Sequence, residues 1–162
     1  MDQWSDADGR NQRWTLHRTA LPNLTTGDFT IRNQLGKYLE IPGASTASGT
    51  QADQWWYADQ QWHLWHFVTA NGGYRIVNAK SGLALTDTHP AGSEAITQTA
   101  VDTGNAQQVW TLVSSGDRTL IKNAGSGRYV TITNGSPSNL AKAVSWTEID
   151  TPDQLWTVSR IN

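Results

Sequence analysis

The tripeptide Gln108-Val109-Trp110, set in the stretch "NAQQVWTLV" (105–113), decides how this chain folds. From the tryptophan onward Trp110 and Leu112 alternate with Thr111 and Val113, the period-two pattern of a strand. The same ending returns as Gln12-Arg13-Trp14 and Gln154-Leu155-Trp156, and as His63-Leu64-Trp65 with histidine in place of glutamine. The intervals between these tryptophans are 51, 45 and 46 residues. A recurrence at that period is the signature of a repeat architecture.

Working outward, an asparagine marks the other end of each unit: Asn33 in "FTIRN", Asn78 in "YRIVN" and Asn123 in "TLIKN". Each precedes the next repeat-end tryptophan by 32 or 33 residues. Period-two pairs Phe29/Ile31, Tyr74/Ile76 and Thr119/Ile121 predict a first strand. A turn at Gly36, Gly82 or Gly127 leads to a second strand, at Tyr38-Leu39, Ala84-Leu85 or Tyr129-Val130. A loop rich in Gly, Ser and Thr leads to a third strand, and the tryptophan opens the fourth. No helical period is present. Three complete units span 28–68, 73–113 and 117–161. A surplus half repeat precedes them over 1–20, because "DQWSDADGRNQRW" (2–14) aligns without a gap on "DQWWYADQQWHLW" (53–65). Four strands at this period also suit a propeller blade. Three units closing on a threefold axis fit the length better and remove exposed sheet edges.

Composition narrows the function classes. The apolar share is 37%, but nine tryptophans can supply the missing core area. Twelve basic and 14 acidic residues, with no basic block, argue against nucleic acid or an anionic membrane as partner. No apolar run approaches the length of a bilayer span. The opening "MDQWSDADGRNQRW" has no basic-then-apolar signal. Zero cysteines exclude disulfides and thiolate metal sites.

The Gln-x-Trp endings, with the openings "YRIVNAKSG" and "FTIRNQLGKYLEIPG", resemble the ricin B-type β-trefoil lectins. They are most similar to bacterial modules of that class attached to polysaccharide-degrading enzymes. The resemblance implies an all-β fold over 28–162: a β-trefoil of three four-stranded repeats, a six-stranded barrel capped by three hairpins. It implies that Trp65, Trp110 and Trp156 face the shared core. A trefoil needs only three units. The half repeat is therefore the tail of a preceding trefoil, an extra hairpin laid on the domain, or a dimer contact with another chain.

The resemblance also implies one shallow sugar site per unit. A carboxylate ends the second strand, an aromatic on the third strand stacks on the ring, and a polar group precedes the repeat-end tryptophan. In unit one these positions hold Glu40, Asp53, Trp55, Trp62 and His63, with Trp56 and Tyr57 at the rim. Unit two offers Thr86 beside Asp87, Gln98, Ala100, Gln107 and Gln108. Lacking an aromatic, it is expected to be weak, with His89 as a substitute nearby. Unit three offers Thr131, Trp146, Asp153 and Gln154, with Glu148 as a stand-in acid. Unit one leads, and unit three is second.

Nothing in the sequence signals an enzyme. There is no cysteine nucleophile, zinc motif or phosphate loop. The carboxylate pairs Glu40/Asp53 and Asp53/Asp59 lack any sign of the raised pKa that a general acid needs. His63 and His66 fall on a predicted strand, where an interval of three puts them on opposite faces. The expectation is a non-catalytic, secreted, extracellular carbohydrate-binding module with no cofactor or metal. It would be weak and multivalent on galactose-, arabinose- or xylose-type glycans, and would target a covalently attached glycoside-active enzyme. The alternative is a trefoil used for protein contact or inhibition.

Overall fold

A computed structural model describes residues 23–161, so the half repeat assigned to 1–20 lies outside the described residues. Twelve strands follow in three groups of four: β1 (Phe29–Asn33), β2 (Tyr38–Glu40), β3 (Asp53–Trp55) and β4 (Trp65–Ala70); β5 (Gly73–Asn78), β6 (Ala84–Asp87), β7 (Ile96–Thr99) and β8 (Trp110–Ser115); β9 (Arg118–Asn123), β10 (Tyr129–Ile132), β11 (Ala143–Trp146) and β12 (Trp156–Arg160).

Six of these close a barrel in the order β12-β1-β4-β5-β8-β9, every neighbour antiparallel. Three single-pair contacts complete the ring: Phe29 opposite Trp65, Tyr74 opposite Trp110 and Thr119 opposite Trp156. The other six strands form the hairpins β2-β3, β6-β7 and β10-β11. These meet one another through bridges Gln51–Thr97, Asp53–Lys142 and Ala95–Val144. The fold is an all-β trefoil, closed as the repeat period requires.

The repeat-end tryptophans are the centre of the core. Trp65, Trp110 and Trp156 are fully buried among Phe29, Ile31, Ile76, Leu85, Ile121 and Val130. Each indole N–H donates to a second-strand carbonyl of its own unit: Leu39 (3.0 Å), Leu85 (3.1 Å) and Val130 (3.1 Å). Removing one indole from water contributes about 4–6 kcal/mol as an upper bound. The donated bond keeps the buried N–H satisfied.

The repeated asparagines are explained by the turns they hold. Asn78 Oδ1 accepts from the backbone N–H of Lys80 and Ser81, and Asn123 Oδ1 from Gly125 and Ser126. Their amide groups donate across the unit boundary to Trp62 O and Gln107 O. Gly82 and Gly127 follow with φ of 73° and 75°, a left-handed conformation that a side chain disfavours.

Two details differ from the sequence reading. His63 is not on a strand; it ends a 3-10 turn (Gln61–His63), and β4 starts only at Trp65. In unit two the β6-β7 register puts Gln98 opposite Leu85, as Gln54 stands opposite Leu39 in unit one. The counterpart of Trp55 is therefore Thr99, not Ala100. A slip of one residue exchanges the faces of a strand.

Candidate functional site

In each unit the residue two before the repeat-end tryptophan braces the loop ahead of it. Gln154 Oε1 accepts from the backbone N–H of Ile149 (2.8 Å) and Asp150 (3.1 Å), and its amide donates to Thr147 O (2.7 Å) and Thr131 Oγ1 (3.1 Å). Thr131 Oγ1 in turn donates to Tyr129 O. Gln108 does the same work toward Asp102, Ala100 and Thr99. The hydrogen-bonding capacity of Gln154 and Thr131 is thus used inside the protein.

His63 takes this role in unit one. Its Nδ1 accepts from the backbone N–H of Asp59 (3.1 Å) and Gln60 (3.2 Å), which leaves the ring proton on Nε2. Nε2 lies 3.1 Å from Glu40 Oε1 and donates to it. The imidazole thus holds the Glu40 carboxylate at the floor of an open cleft of about 260 Å³. Trp55, Tyr57 and Trp62 form its aromatic walls, and Gly43 and Leu140 complete it. Glu40 is only 3% exposed. Tyr57 packs edge-on to Trp56 at 4.8 Å, and Trp56 itself stays outside the cleft. The rim position thus goes to Tyr57. Leu140 comes from unit three. No local signal marks it, because only closure of the threefold brings it here.

Asp53 does not line this cleft. It pairs with Glu40 across β2-β3 and is 0% exposed. Neither carboxyl oxygen has a hydrogen-bond partner among the described residues. Burial, the largest cause, and the facing Glu40 together raise its pKa to about 9, against the opposing charge of Lys142, 3.9 Å away. At neutral pH Asp53 is therefore held as the neutral acid. Nothing in the sequence signals such a shift. It arises from two acids facing each other in a buried register.

Unit three has a larger cleft, about 440 Å³, lined by Trp146, Ile132, Val144, Ile149, Thr131 and Asp153 among others. Trp146 is 39% exposed, and the Arg128 guanidinium sits 5.5 Å from its ring centre. Arg128 is tied to Glu94 (3.3 Å) and to Ser145 O (2.9 Å). Asp153 is buried, and its Oδ2 has no hydrogen-bond partner among the described residues. Such an acceptor is costly to leave unmatched. It is matched when a hydroxyl or water donates into the cleft. Unit two brings no ring to the equivalent place, and its Asp87 is engaged by His89 N and Ser126 Oγ. His89 is exposed.

A closed threefold barrel with an indole at each repeat end and shallow clefts on its hairpins defines the trefoil class. The chain belongs to the family described as ricin-type beta-trefoil lectin domain-like, which matches residues 1–55 and 58–120. No curated protein matches the sequence. Among solved structures it is similar to ThreeFoil, a designed 3-fold symmetric protein, with TM-score 0.78, 25% identity, and coverage of 84% of this chain and all of that one. It is similar to the exo-beta-1,3-galactanase 1,3Gal43A from Clostridium thermocellum (TM-score 0.78, 23% identity), where 88% of this chain covers 31% of that enzyme. The earthworm R-type lectin C-half, solved in complex with GalNAc, gives TM-score 0.69 and 21% identity over 84% of this chain and all of that one.

Proposed function

We propose that this chain is a non-catalytic carbohydrate-binding module acting outside the cell, with its leading site in unit one. One observation carries the reading: three aromatic side chains enclose an oriented, buried carboxylate acceptor in an open cleft. A pyranose has an apolar C–H face and a rim of hydroxyls. Trp55 or Trp62 meets the first, and Glu40 accepts from the second. The unit-three cleft repeats this chemistry with Trp146 and Asp153. A single shallow site of this kind should have Kd about 1 mM, roughly −4 kcal/mol. Two sites on one polymer gain by avidity.

The non-catalytic part of the reading is supported by where the one strongly shifted acid among the described residues lies. Asp53 is behind Glu40, away from the cleft surface, so its proton does not face a glycosidic oxygen. Holding an attached glycoside-active enzyme on its polysaccharide is the role that such a module would serve.

The test is a tryptophan-fluorescence titration with galactose, arabinose and xylose oligomers. Trp55→Ala should weaken binding by about tenfold or more, or 1.4 kcal/mol, with the unfolding midpoint little changed. Trp146→Ala should remove only the second, weaker phase. A second reading, protein contact, is favoured by the exposure of Trp56 at 60% and of Leu140 at 51%. It gains if no oligomer moves the fluorescence.

A further inference from the structure

The barrel wall carries another recess, of about 300 Å³, between β1, β9 and β12. It shares no lining residue with either cleft. Its walls hold two arginines, Arg32 and Arg118, with the hydroxyls of Thr30, Tyr38, Thr157 and Ser159, and no carboxylate.

Strand register brings Arg32 and the threonine that Arg118 contacts to one stretch of the barrel wall. Arg32 stands directly opposite Thr157 in the β1-β12 ladder. Arg118 Nη1 donates to Thr157 Oγ1 at 2.8 Å. The Arg32 guanidinium lies 5.4 Å from the centre of the Tyr38 ring, which orients it without neutralising it. Arg118 Nε is buried with no partner. Among the described residues neither arginine forms an ion pair with a carboxylate. Asp117, next to Arg118, is exposed and not part of the lining. On a chain of net charge −2, two guanidinium groups thus line one recess, and the buried Arg118 Nε has no partner among the described residues. Such an arrangement is unfavourable alone and favourable around an anion.

We propose that this recess is a binding site for the carboxylate of an acidic saccharide, a uronic acid residue. Guanidinium groups match a planar carboxylate with paired N–H donors. The surrounding hydroxyls and the Gln34 amide suit the hydroxyl groups of a sugar ring. The volume stands at the small end of the range for ligand pockets, about 300–1,000 Å³, enough for one residue of a chain.

The test follows the arginine Nε–Hε signals of the ¹⁵N-labelled chain during titration with glucuronate, glucose and inorganic sulfate. Glucuronate should shift the Arg32 and Arg118 signals saturably, bind more tightly than sulfate, and weaken as salt is added. Glucose should leave both signals unmoved. Arg32→Gln and Arg118→Gln should each weaken glucuronate binding by about tenfold or more. Arg118→Lys, which keeps the charge and loses the paired donors, should also weaken it. Three results overturn the proposal: no saturable shift with glucuronate, sulfate binding as tightly as glucuronate, or glucuronate affinity unchanged in the variants. The neutral-oligomer fluorescence titration reads the aromatic clefts separately, so either site can fail while the other stands.

Discussion

The clefts of unit one and unit three occupy the same place on the threefold and are built from different chemistry. Both have an indole at the end of the third strand, Trp55 or Trp146. In unit one the acid ends the second strand, as Glu40, and the position three before the repeat-end tryptophan is aromatic, Trp62. In unit three the second strand offers Thr131, and the acid has moved to that other position, as Asp153. The brace changes with it. His63 donates to Glu40, whereas Gln154 donates to Thr131. The cross-strand partner changes too: Asp53 faces Glu40, and Val144 faces Thr131. The scaffold therefore fixes a donor–acceptor contact between hairpin and loop. Which side of it carries the carboxylate is free, provided that the neighbours change together.

The largest effect should show what the clefts share. Trp65→Ala and Trp156→Ala should each cost about 3–5 kcal/mol in urea unfolding, as large buried aromatics do. A much smaller cost for one would mean that the two units do not rest on one core.

A mid-sized effect should expose the coupled neighbours. Glu40→Ala leaves the His63 Nε2–H without its acceptor and should cost about 1–3 kcal/mol. Copying unit three whole, as Glu40→Thr, Asp53→Val and His63→Gln together, should recover most of that loss. A triple variant less stable than the single one would refute the matched-set account.

A third effect, read by pH rather than by truncation, is a stability slope confined to unit one. Asp53 has a folded pKa of about 9 against an ordinary 3.8. The folded chain therefore holds a proton that the unfolded chain releases. This contribution is fully present below pH 3.8 and is lost as pH rises toward 9. Asp53→Asn, whose side chain does not titrate, should flatten the stability profile between pH 5 and 9, as read by thermal unfolding. Asp53→Asn with an unchanged slope would place the proton elsewhere.

Much of the site was legible because it lies close in sequence to the repeat markers. Glu40, Trp55, Trp62 and His63 converge on one cleft, and Trp146 with Asp153 on the other. Asp53 was assigned to the sugar but stands behind Glu40. A single strand shows which residues alternate, not how deep each lies. The slip from Thr99 to Ala100 has a related cause. Unit two has no tryptophan on its third strand to anchor the register, and Gln98 resembled the wrong neighbour.

By itself the sequence determined the closed threefold, because indoles at a fixed period have one compact way to share a core. It also determined which indoles belong inside, through the alternation that follows each Gln-x-Trp. Only the tertiary structure decided what meets across units: Leu140 in the cleft of unit one, Lys142 beside Asp53, and Arg118 and Arg32 lining one recess. Those contacts depend on strand register and ring closure between residues up to about a hundred positions apart, distances that no local periodicity encodes.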